Sequence, residues 1–106
     1  MNSKTLEQNV TKEQRFRKLA ETWKRDTLYL SSAAKKAVHP AYQGIIGLGE
    51  PAVPWILEEL KKDPRDWFWA LTAITGENPV LDASAGKVEE MAAAWLRWGR
   101  EQGYIQ

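Results

Sequence analysis

Few side chains in this 106-residue chain are of the kinds that carry out reactions. There is one histidine, His39, and there are no cysteines. Disulfides, thiol catalysis and cysteine-ligated zinc or iron–sulfur sites are therefore excluded. General acid–base work needs a histidine or carboxylates tuned by their surroundings. His39 stands beside Pro40 where a helix should begin, so it reads as a cap or a surface residue. Glu58-Glu59 and Glu89-Glu90 are adjacent pairs. Neighbours on a helix point about 100° apart, so neither pair converges on a substrate. Asp63 and Asp66 can share a face, but a cap and a first-turn acid favoured by the helix dipole account for both. Gly44, Gly47 and Gly49 do not match a phosphate-binding loop and follow no strand. Ser31-Ser32 and Ser84 lack the context of a nucleophile elbow. No ligand spacing suggests a metal site. The expectation is a non-enzyme with no cofactor, metal or catalytic residue.

The remaining residues describe how the chain is built. At 106 residues, 43% hydrophobic and 27% charged, it fits one globular domain. Residues 1–10 read as a flexible N-terminus and 11–106 as a single helical domain. Thr11 and Gln14 form a capping box, and Phe16, Leu19, Ala20, Trp23, Thr27 and Leu30 follow at helical spacing. Ser31-Ser32 should interrupt that helix, and 33–38 can add a turn or two. Pro40 suits a first helical position. The helix it opens carries Tyr42, Ile45 and Ile46 and should stop at Gly49 as a left-handed residue. Pro51 opens a third helix with a Val53, Ile56, Leu57, Leu60 stripe. Asp63-Pro64 opens a fourth with Trp67, Phe68, Leu71 and Ile74, closed by Gly76. A loop to about Gly86 offers Asp82 and Ser84 as caps for a last helix bearing Val88, Met91, Ala92, Trp95, Leu96 and Gly99, which Gly103 ends. No alternating run suggests a strand.

The stretch GIIGLGEPAVPWILEELKK resembles the helix–turn–helix core of a HEAT-type repeat. Ile45, Ile46 and Leu48 match its first helix, Gly49, Pro51 and Ala52 the turn, and Val53, Ile56, Leu57 and Leu60 the second helix. The likeness covers about residues 40–62. Residues 63–75 could open a second repeat, but no aliphatic helix follows at once, and an array needs about three repeats. The expected fold is thus all-α: a compact bundle of about five helices with a central HEAT-like hairpin. The resemblance implies binding of other proteins, sometimes of nucleic acid, and no catalysis.

Six tryptophans are a large number for such a chain. Trp23, Trp67 and Trp95 fall on apolar stripes and read as core. Trp55, Trp69 and Trp98 fall off them, and either meet another helix or form an exposed aromatic patch. With Arg65, Arg97 and Arg100 they would supply the residue types that dominate protein-binding hot spots. Charge is uneven: residues 1–39 carry nine Lys/Arg against four acids, and 40–106 carry six against ten. Either the two parts attract each other, or the basic helix (Arg15, Arg17, Lys18, Lys24, Arg25) meets an acidic partner such as nucleic acid. Phe16 and Trp23 sit on the core stripe, which counts against stacking on bases. The leading expectation is a small protein-interaction module, an adaptor or an antitoxin- or immunity-type inhibitor, with an unidentified partner protein. A nucleic-acid-associated protein is the alternative. The polar N-terminus and the lack of a long apolar run suggest a cytoplasmic protein with no membrane partner.

Overall fold

Proline, glycine and short polar caps divide the chain much as their chemistry requires. The computed structural model describes the backbone of residues 3–106 and the side chains of 11–106. Six α-helices are present among the described residues: α1 (Ser3–Asp26), α2 (Ala33–Ala37), α3 (Pro40–Leu48), α4 (Val53–Lys62), α5 (Phe68–Thr75) and α6 (Val88–Glu101). Three short 3₁₀ turns, Glu50–Ala52, Pro64–Asp66 and Asp82–Ser84, join them. The described residues contain no strand. The protein is an all-α bundle in which α3 packs chiefly on α1 and α5, and α4 on α6.

Several boundaries depart from expectation. Residues 1 and 2, part of the segment expected to be flexible, lie outside the described residues. From Ser3 the backbone is helical, so Thr11 lies inside α1 and does not cap it. At its other end α1 stops at Asp26, before Ser31-Ser32. There the Thr27 hydroxyl donates to the Trp23 carbonyl at 2.6 Å, and the Leu30 N–H closes a turn on the Thr27 carbonyl. The Thr27 N–H bonds the same carbonyl at 3.0 Å, so the hydroxyl shares an acceptor that the helix already uses. Ser32 instead caps α2, its Oγ accepting the Lys35 N–H. The starts expected at Pro51 and Pro64 are 3₁₀ turns, with α4 and α5 beginning just beyond them. Asp82 and Ser84 do not cap α6. They form their own turn, Gly86 follows with φ +84°, and Lys87 holds the cap position without a side-chain bond.

Gly49 ends α3 as expected, but not in the left-handed helical conformation. Its φ of +77° comes with an extended ψ of −155°, a region open essentially only to glycine. Gly76 is the residue that is truly left-handed, with φ +71° and ψ 6°. After α6, the Tyr104 N–H bonds the Gly99 carbonyl and the Gly103 N–H bonds that of Arg100. This is a Schellman stop.

The core is aromatic at its centre. Trp23 and Trp67 approach to 4.9 Å between ring centroids, Trp23 and Tyr42 to 5.2 Å, and Phe16 and Trp67 to 6.1 Å. Ile45, Val53, Ile56, Leu57, Leu60 and Leu71 are buried around them. The stripe read from sequence on α4 is therefore core, while those of α3 and α5 are core at Tyr42, Ile45, Trp67 and Leu71 and only partly buried at Ile46, Phe68 and Ile74.

Two helical glycines test how tightly this bundle is packed. A Cβ on Gly99 would lie 2.6 Å from Leu57 Cδ1, where α6 crosses α4, and Leu57 is fully buried. Gly99→Ala should lower unfolding stability by roughly 1–2 kcal/mol, the overpacking cost outweighing the gain in helix propensity. Gly47 lies exposed in α3 with nothing near its missing Cβ. Gly47→Ala should stabilise by about 0.5–1 kcal/mol. Urea unfolding of the two variants checks both signs.

Candidate functional site

The residues that might have done chemistry are occupied structurally. His39 caps α3, its Nδ1 accepting the Ala41 N–H at 3.0 Å while Nε2 faces Asp26 Oδ2 at 3.1 Å. The Asp63 carboxylate caps the turn before α5 and grips the Arg65 side chain, Nε at 3.1 Å and Nη2 at 3.3 Å. The Arg65 guanidinium holds that carboxyl below its ordinary range. Asp66 pairs with Lys36 at 3.0 Å. Glu58 and Glu59 diverge: Glu58 is exposed beside Lys61, while Glu59 is buried against Lys24 at 2.6 Å and Lys62 at 3.6 Å. Glu90 accepts from Ser84.

The charge asymmetry is met in part from within. Lys24–Glu59 and Lys36–Asp66 each join the basic first third to the acidic remainder. On α1, Arg17 pairs with Glu13 at 2.7 Å and Arg25 with Asp26 at 3.4 Å. Arg15 and Lys18 are exposed. Phe16 and Trp23 are buried and present no face to a base.

The six residues expected to form a binding patch do not lie together. Trp55 is partly buried, its ring 5.8 Å from Phe16. Trp98 is also partly buried, meeting Trp95 edge-on at 5.3 Å and stacking on Tyr104 at 5.5 Å. Arg100 is exposed near the end of α6. Arg97 borders a small hollow of about 210 Å³ beside Pro79 and Leu81. Arg65 and Trp69 are brought together, on the rim of a larger groove of about 470 Å³ between α5 and α6.

That groove follows from the local sequence. Trp67 is drawn into the core, so Trp69, two residues on, must leave it. Thr72 and Ala73, three and four residues further, share its face and are too small to cover the ring. Phe68 forms a wall, and Met91 and Trp95, one turn apart on α6, form the other side. The loop after α5 closes one end with Asn78 and Val80, held by an Asn78 Oδ1 bond to the Val80 N–H. Trp69 remains 56% exposed above this surface. Every described buried side-chain polar atom already has a partner, and the groove is mainly apolar, with Arg65, Asp66, Thr72 and Asn78 as the polar residues of its lining. Sequence reading missed Met91, Thr72, Ala73 and Val80 as groove residues. The smallness of the side chains at 72 and 73 beside a tryptophan was the available signal.

No family model matches this chain, and no curated protein or solved structure matches it either. No described helix is long and apolar enough to cross a membrane. Fold and site together define an all-α bundle with an open apolar groove.

Proposed function

We propose that this protein is a small cytoplasmic interaction module whose α5–α6 groove receives an apolar segment of a partner protein. The observation carrying this reading is Trp69, a large aromatic more than half exposed over an apolar concavity, with Arg65 at its edge. Aromatic and arginine anchors in such surroundings dominate binding energy at protein interfaces. The groove suits a ligand that contributes apolar side chains and meets Arg65, Asp66 or Asn78 with its backbone or a polar group. The resemblance of the sequence of residues 40–62 to a HEAT-type hairpin, if it reflects kinship, implies the same kind of role. In this reading the protein acts as an adaptor or as an antitoxin- or immunity-type inhibitor, and it catalyses nothing.

Site-specific photo-crosslinking in the native cell tests this. A benzophenone side chain at Thr72, exposed inside the groove, should give one discrete protein adduct. The same group at Arg15 on α1 should not, and Trp69→Ala should abolish the Thr72 adduct. No adduct at Thr72, or one indifferent to Trp69→Ala, would sink the proposal. An adduct only at Arg15 that nuclease removes would favour the nucleic-acid alternative instead.

A further inference from the structure

Among the described residues, Tyr29, Leu28, Leu81 and Val38 are all more exposed than Trp69; Leu81 stands by itself, beside the small hollow that Arg97 borders. Tyr29 is 84% and Leu28 80% exposed in the turn after α1, and Val38 is 70% exposed in the turn after α2. The Asp26–His39 contact at 3.1 Å holds these two turns together. Three apolar side chains therefore project from one corner of the molecule, where folding should have hidden them.

The collar around this corner is basic. Arg25 is exposed at the end of α1, and Lys35 is exposed on α2 with no ion pair among the described residues. Leu28 also lines a hollow of about 320 Å³ that contains Lys24, Lys36, Lys62 and Arg65 against only Glu59, Asp63 and Asp66. Asp26 lies beside Arg25. Counted together, cations exceed carboxylates by two: Lys24 and Lys62 share Glu59, Lys36 pairs with Asp66, Arg65 with Asp63 and Arg25 with Asp26, which leaves Lys35 as the collar's cation without an ion pair among the described residues.

We infer that this tip docks on an anionic membrane surface, with Leu28, Tyr29 and Val38 entering the headgroup layer and the basic collar facing lipid phosphates. Leucine and valine lie in the upper acyl region, and tyrosine, with its polar end, sits at headgroup level. Lysine and arginine just above add attraction to anionic lipid. The tip protrudes, so a deformable interface accommodates it without a matching cavity. A second copy of this chain is disfavoured as the occupant, because a two-fold contact would set each basic collar against its own image. The expectation of no membrane partner rested on the lack of a spanning segment, and surface docking needs none. The collar shares Arg65 and Asp66 with the groove, but Leu28, Tyr29 and Val38 do not line it, so substituting the tip residues leaves the groove reading untouched.

Co-sedimentation of the full chain with vesicles tests it, using phosphatidylcholine alone or with a substantial fraction of phosphatidylglycerol. Binding is expected to the anionic vesicles only, and to weaken as salt is raised. The exposed double substitution Leu28→Ser/Tyr29→Ser should abolish binding with an unchanged circular dichroism spectrum. Lys35→Ala should weaken binding by about five-fold. Failure to bind anionic vesicles overturns the inference, as does equal binding to neutral ones or binding indifferent to the double substitution. A lipid-free dimer that the same double substitution dissociates would instead assign the tip to a second copy and likewise overturn it.

Discussion

Trp67→Ala should lower the unfolding free energy by roughly 3–5 kcal/mol, whereas Trp69→Ala should change it by no more than about 0.5 kcal/mol. The two residues are the same type, two positions apart. Trp67 is 2% exposed and its ring meets those of Phe16, Trp23 and Tyr42. Truncating it removes the largest fully buried side chain and leaves a void between α1 and α3. Backbone elements on both sides hold that void open, since Ile45, Leu57 and Leu71 are already buried in tight surroundings and cannot all collapse into it. Trp69 loses only the contact of its inner edge with the groove. Urea titration gives both numbers, and an unchanged slope would show that the unfolded state is not the source of the difference. Similar losses for the two variants would mean that Trp69 is a structural residue, and the groove would lose its anchor.

The tryptophan contrast also shows what could be read from the chain. Helical periodicity separates Trp67 from Trp69, because facing in or out depends on angle along one helix. It also set the stripes of α3, α4 and α6. It could not decide Trp55 and Trp98, whose rings settle on Phe16 and Tyr104 through contacts between distant elements. Two of the helix boundaries that failed are set by short turns. Each is a local turn that the apolar pattern does not encode: the Leu30 N–H closes one on the Thr27 carbonyl, and Asp82–Ser84 form another in place of capping α6. The charge asymmetry was visible, but its resolution into Lys24–Glu59 and Lys36–Asp66 depends on which faces meet.

Tyr42 is the least legible residue of all. The α5 helix has no side-chain cap from its own neighbourhood, since Trp67 stands at the cap position. The acceptor comes from α3: the Tyr42 hydroxyl receives the Ala70 N–H at 3.0 Å and donates to the Asp66 carbonyl at 2.8 Å. One oxygen thus serves both a first-turn donor of α5 and the turn that leads into it. Ala70 is fully buried, so no solvent can replace the bond. Tyr42→Phe should therefore cost about 1–3 kcal/mol near neutral pH, the penalty for leaving a buried donor unpaired. The cost should also depend on pH with a definite sign. Burial pushes the Tyr42 hydroxyl well above the ordinary tyrosine range, against the lowering effect of the Ala70 bond, and the Asp66 carboxylate pushes it further. Above about pH 10 the unfolded chain gives up this proton while the folded chain keeps it. The wild type then loses about 1.4 kcal/mol of stability per pH unit from this group. The phenylalanine variant has no such proton. The advantage of the wild type over Tyr42→Phe should accordingly shrink between about pH 10 and 12, by about 2–3 kcal/mol over that interval. A difference that stays constant with pH, measured by urea unfolding of the two proteins side by side, would mean that the hydroxyl ionises in the folded state and is not sealed into the α3–α5 junction.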